Sequence, residues 1–98
     1  MEIKKVREDN KLTVCVSGRL DTMTAQELDE ELENSLEGVT ELVMDLSEMG
    51  YISSAGLRVL LTAQQIMEDQ GSMVVKGIRE DLKDIFEVSG FDSFLNIQ

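Results

Sequence analysis

The sequence predicts a single α/β domain spanning residues 1–98: an N-terminal β-hairpin, then alternating helices and mostly parallel strands, in the order β-β-α-β-α-β-α-β. Three observations carry this. Leu12, Val14 and Val16 alternate with Thr13, Cys15 and Ser17, the period-2 pattern of a strand with two distinct faces. Leu42, Val43, Met44 and Leu46 are almost continuously apolar, as expected of a strand covered on both faces by helices. Between and after these runs, apolar residues recur at helical spacing in Ala25, Leu28, Leu32, Leu36 and in Ala55, Val59, Leu60, Ala63, Ile66, Met67.

Taken in order, Ile3 to Val6 and Leu12 to Val16 read as the hairpin strands. Asp9-Asn10 is the turn, since both residues tolerate unusual backbone angles. Gly18-Arg19-Leu20-Asp21 closes the second strand. Thr24 with Glu27 makes a capping box and Met23 with Leu28 a hydrophobic staple, so the first helix starts there and stops at Gly38. Its other face, with Asp29, Glu30, Glu31 and Glu33, reads as solvated; docking of a basic partner is the alternative. Glu41 to Leu46 is the third strand, followed by a short loop. The second helix runs from about Ser54 to Gln70 and ends at Gly71. Its first half is apolar nearly all round, which fits deep burial or, alternatively, a partner surface. Ser72 to Lys76 is the fourth strand and Glu80 to Ser89 the third helix, stopped by Gly90. A short last strand lies near Leu95 to Ile97.

Composition excludes several classes of function. A net charge of −11 opposes nucleic-acid binding and an anionic membrane surface. No run approaches the roughly 18 apolar residues of a membrane span, and MEIKKVREDN has no apolar stretch behind its lysines to make a signal peptide. Cys15 is the one cysteine, so no intrachain disulfide forms, which fits a cytoplasmic setting; mid-strand, it reads as packing rather than redox chemistry. Histidine is absent, which removes the commonest metal ligand and general base. No base is placed to activate a serine, so the chain reads as a non-enzyme with no catalytic residues, metal site or cofactor.

The stretch that draws attention is Asp45 to Leu61, DLSEMGYISSAGLRVLL. It delivers Ser53 and Ser54 to a helix N-terminus, where unpaired N–H groups and the macrodipole favour a phosphate, bound or covalent. Local chemistry by itself favours a plainer reading, in which one serine is only an N-cap, as Ser is in any helix, and Gly56 only a close-packing residue. Asp45, at a strand end, invites comparison with the phospho-acceptor of receiver domains. The paired acidic residues such domains need after their first strand are missing, since Asp21 stands alone. Asp21, Thr24 and Ser53-Ser54 all follow strands and are expected together at one end of the molecule.

Gly18-Arg19-Leu20-Asp21, Val43-Met44-Asp45-Leu46-Ser47 and above all Tyr51-Ile52-Ser53-Ser54-Ala55-Gly56-Leu57 resemble the STAS domain, more narrowly the stand-alone bacterial anti-sigma-factor antagonists. Val74-Val75-Lys76-Gly77 and Ile85-Phe86 with Ser89-Gly90-Phe91 match as well, so the resemblance covers nearly the whole chain. It implies a switch. Such proteins bind an anti-sigma factor that is also a serine kinase of GHKL type, and so release a sigma factor for transcription. The kinase inactivates them by phosphorylating a serine at the start of the second long helix, and a PP2C-type phosphatase reverses this. Counting back from Gly56, the resemblance puts the acceptor on Ser54, with Ser53 as runner-up. Asp21 matches an acidic residue close to that serine. The implied partner-binding set is Asp21, Thr24, Tyr51, Ile52, Ser53, Ser54, Gly56 and Leu57. The chain departs from the family in three ways. Ser53 replaces a common Asp, Ala55 replaces a common second serine, and the usual C-terminal helix is absent or cut away. Two other uses of the surface remain open: a STAS scaffold or regulatory subunit of a transport or stress-signalling assembly, and a nucleotide-binding module. The latter lacks a Gly-rich, Lys-containing phosphate loop.

Overall fold

Asp9 adopts φ 54° and turns the chain between β1 (Glu2–Glu8) and β2 (Lys11–Leu20), which pair antiparallel from Glu2↔Ser17 to Glu8↔Lys11 in the computed structural model, which describes residues 1–98. The remaining elements are α1 (Thr22–Glu33), β3 (Glu41–Ile52), α2 (Ser54–Gln70), β4 (Ser72–Lys76), α3 (Glu80–Val88) and a 3-10 turn at Phe91–Ser93. The sheet order is β1-β2-β3-β4, with β2, β3 and β4 parallel. The expected fold class is therefore the observed one. The last strand is reduced to one parallel bridge, Val75↔Ile97, held by Val75 N–H to the Asn96 carbonyl (2.9 Å) and Gln98 N–H to the Val75 carbonyl (2.8 Å).

One face of the sheet carries the core. Leu12, Val14, Val16, Leu42, Met44, Leu46, Met73 and Val75 are buried against Leu28, Leu32, Leu60, Met67, Leu82 and Phe86 in one cluster. The intervening Thr13, Cys15, Val43, Asp45 and Val74 are only half-buried. The expectation that β3 is covered on both faces is thus corrected. All helices contribute to a single apolar layer, and Val43 is an apolar residue on the open face.

Two helix ends also differ from expectation. The cap of α1 is Asp21, not Thr24. Asp21 Oδ1 accepts from the N–H groups of Met23 (3.1 Å) and Thr24 (3.0 Å), and Thr24 Oγ1 accepts from Asp21 N–H (2.8 Å). Asp is a strong N-cap, so the helix begins before Thr24, and Met23, at 82% exposure, staples nothing. The helix stops at Glu33, with Asn34 as C-cap, rather than at Gly38. Leu36 still reaches the core, and Gln70 Nε2 donates to the Leu36 (2.7 Å) and Val39 (2.6 Å) carbonyls of the loop that follows the shortened helix. At the end of α2, a Cβ on Gly71 would lie 1.9 Å from the Thr40 carbonyl oxygen, so only glycine lets the α2–β4 turn pass β3.

Candidate functional site

The candidate site sits where β2 and β3 end. The expected loop after Leu46 is instead six more residues of strand, which run to Ile52. Its register explains why. Cys15 pairs with Asp45 and Ser17 with Glu48, then Gly18 with Met49 and Arg19 with Tyr51. At each of these two steps β3 carries one residue more than β2, the signature of a bulge. The buried positions accordingly run Leu46, Met49, Ile52, at a spacing of three rather than two. The bulges bring Tyr51 opposite Arg19, whose guanidinium carbon lies 4.0 Å from the Tyr51 ring centroid. That is cation–π distance. The sequence gives no signal for Arg19, because its partner depends on the bulged register.

Ser53 follows immediately. Its N–H donates to the Leu20 carbonyl (2.9 Å), which ties the start of α2 to the end of β2 and so to Asp21. Asp21, Thr24, Ser53 and Ser54 are therefore gathered at one end of the sheet, as the alternation of elements predicts. The two serines have different environments. Ser53 is the N-cap, half-buried, with Oγ accepting from Gly56 N–H at 3.3 Å. Ser54 is the first helical residue, is exposed, and its hydroxyl is free of intramolecular bonds.

Three residues expected on a binding surface lie inside. Ile52 is 3% exposed, Leu57 2%, and Gly56 is buried. A Cβ on Gly56 would stand 2.8 Å from Leu20 Cγ and 2.9 Å from Ile52 Cγ1, so glycine here lets α2 close onto the strand ends. These residues shape the surface from beneath, while Tyr51 and Ser54 stand on it.

Asp21 is held below the usual carboxylate range, first by the Thr24 N–H, then by the Thr24 hydroxyl, with the Met23 N–H and Arg19 adding smaller effects. The single Thr24 hydroxyl hydrogen is shared between Asp21 Oδ1 at 3.1 Å and the Arg19 carbonyl at 2.7 Å, which fixes the strand-to-helix turn. Asp45 lies lower on the sheet's open face, with Oδ1 accepting from Ser47 N–H at 3.0 Å; hydrogen bonding from Ser47 holds its carboxyl below the ordinary value. The Cys15 thiol donates to Asp45 Oδ2 at 3.9 Å. Burial first, and then the Asp45 charge, push it up, so Cys15 is a poor nucleophile. No cluster of three or more Asp, Glu, Cys or His offers a metal site, and no helix is long and apolar enough to cross a membrane.

A family model described as Mlab, STAS domain, matches residues 3–96. The chain belongs to the STAS domain family. Within the family it is 35% identical over 99 residues to BtrV of Bordetella bronchiseptica, whose description as an anti-sigma factor antagonist is provisional; the match covers 99% of this chain and 85% of BtrV. It is 32% identical to the anti-sigma-B factor antagonist of Listeria monocytogenes, over 100% of this chain and 87% of that protein. Among solved STAS-like folds, SpoIIAA superposes with a TM-score of 0.77 in both its unphosphorylated form (11% identity, 99% of this chain, 87% of that one) and its phosphorylated form from Bacillus (13% identity, 99% and 91%).

Proposed function

We propose that the protein is an anti-sigma-factor antagonist of the cytoplasm, not an enzyme. It binds an anti-sigma factor of the GHKL serine-kinase type and thereby releases a sigma factor. The kinase turns it off by phosphorylating Ser54, and a PP2C-type phosphatase turns it on again. The observation that carries the assignment is the division of labour between the serines. Ser53 Oγ is committed to the helix cap, whereas Ser54 is exposed with an uncommitted hydroxyl at the first turn of α2. The names of the Bordetella and Listeria relatives support the antagonist role.

On this reading the unmodified partner surface is Asp21, Thr24, Tyr51 and Ser54, backed by Ile52, Ser53, Gly56 and Leu57. Phosphate on Ser54 adds roughly −1.5 to −2 charges at neutral pH. The helix N-terminus tolerates that charge through its dipole. A partner surface that must be desolvated does not, and an unpaired buried charge costs several kcal/mol. The switch therefore acts at the interface. The test is to isolate the protein from its own cells and map phosphate by peptide mass spectrometry, with Ser54→Ala and Ser54→Asp variants beside it. The alanine variant binds the anti-sigma factor and cannot be switched off; the aspartate variant binds weakly. Equal binding by both, or phosphate on Ser53 instead, would refute the Ser54 assignment.

A further inference from the structure

Beside Ser54 runs an open groove of about 430 Å³ between the first turn of α2 and the outer side of α3, lined by Ser54, Leu57, Asp84, Ile85, Val88 and Ser89. Its lining is mostly apolar, yet nothing in the chain fills it. Leu57 forms its floor, and Val88 stands at its edge with 89% of its surface exposed, on the last turn of a helix that otherwise buries Leu82 and Phe86. An aliphatic residue so exposed beside an apolar depression is a contact surface rather than a core position. The rim is acidic and partly uncompensated. Arg79 is taken by Asp81 at 3.3 Å and Lys83 by Glu80 at 3.2 Å, which leaves Asp84, the carboxylate in the groove lining, without a cation.

We propose that this groove receives an apolar side chain flanked by Lys or Arg from the anti-sigma factor, as a second contact of the partner that docks at Ser54; the inference rests on the antagonist function proposed above. Continuity fixes the partner, because Ser54 is itself a wall of the groove. Charge fixes its chemistry. A second copy of this chain would bring the same carboxylate to the same rim, whereas a cation beside the apolar side chain pairs with Asp84. The groove also couples the switch to the contact. A phosphate on Ser54 carries its hydration shell into the groove mouth and bars the apolar side chain from Leu57.

The test uses the anti-sigma factor that co-purifies with the Ser54→Ala protein, identified by mass spectrometry and then made recombinantly. Its Kd is measured by calorimetry against the unmodified full chain and single variants. Val88→Glu and Asp84→Lys each weaken binding at least tenfold, while Val6→Glu, exposed at the far sheet edge, stays within twofold. If Ser54→Asp weakens binding but Val88→Glu and Asp84→Lys do not, the groove proposal is overturned and the antagonist function stands. If the groove variants weaken binding and Ser54→Asp does not, the groove stands and the Ser54 switch falls. Loss with Val88→Glu alone overturns the basic half of the proposal. Conversion of a dimer to monomer by Val88→Glu in sedimentation, with Kd unchanged, would assign the groove to a second copy and overturn it. Recovery of no anti-sigma factor with the Ser54→Ala protein overturns the proposal together with the function beneath it.

Discussion

Ser53 and Ser54 are the same residue type at adjacent positions, and only the start of the helix separates their roles. Ser53 spends its oxygen on Gly56 N–H, so Ser53→Ala costs about 1 kcal/mol of stability, the usual loss of a side-chain cap. Ser54→Ala removes an exposed hydroxyl with no partner, and its effect stays within about 0.5 kcal/mol. Urea unfolding of the two variants checks the pair; equal losses would mean that both hydroxyls serve the cap. Gly56→Ala is the stricter case. Alanine is the better helix former by about 1 kcal/mol, but its Cβ would lie 2.8 Å from Leu20 Cγ and 2.9 Å from Ile52 Cγ1. Overpacking of this kind costs about 1–3 kcal/mol, and it acts on two side chains buried in the core with little room to move. Gly56→Ala is therefore destabilising on balance, visible as a lower urea midpoint at unchanged slope. Gly56 was recognisable in the sequence as a special residue. Close packing was one of its two readings; the partners of that packing, Leu20 and Ile52, were not legible, because they depend on two strand ends meeting.

The elements show what pattern reading captures. The periodic cores of α1 and α2 and the bounds of α2 and β4 follow directly from spacing, because burial on one side imposes that spacing. What escaped was where one rule yields to a stronger one nearby. Asp21 displaced Thr24 as cap, with Thr24 becoming its reciprocal partner. The two bulges turned the end of β3 from period two to period three, which reads as a loop unless a bulge is allowed for. The α1 cap carries a pH signature. Its carboxyl is depressed in the folded chain below the roughly 3.9 of a free Asp. The stability it contributes is fully present above that unfolded value and is lost as pH falls through the lower folded one. Asp45, depressed by Ser47, has the same sign. Asp21→Asn keeps a capping oxygen and loses the titration. Its unfolding free energy therefore falls less steeply than the wild type's as pH drops from about 5 towards 2. Circular dichroism across that range measures the difference, and parallel slopes would show that the folded-state depression at Asp21 is negligible.

At the scale of the whole molecule, the sheet has one covered and one open face, and the candidate site lies at neither. It sits at the end of the sheet, where β2 and β3 hand over to α1 and α2. The number of faces covered was not legible, because Val43 and Val74 are as apolar as core residues and only the placement of all three helices on one side exposes them. The end location was legible, since parallel strands deliver their following loops to one side. That location bears on how a modification at Ser54 acts. The first turn of α2 joins the sheet through Ser53 N–H to Leu20, through the Gly56 contact, and through Leu57 in the core, and none of these involves the Ser54 side chain. A phosphate on Ser54 therefore adds charge at a helix N-terminus that favours it and disturbs no core contact. Hydrogen exchange on the protein phosphorylated at Ser54 should leave protection in β2, β3 and β4 unchanged and alter only amides near the first turn of α2. Protection loss spreading through the sheet would mean that the modification loosens the fold, and that binding is switched by partial unfolding rather than by a charge placed on an intact surface.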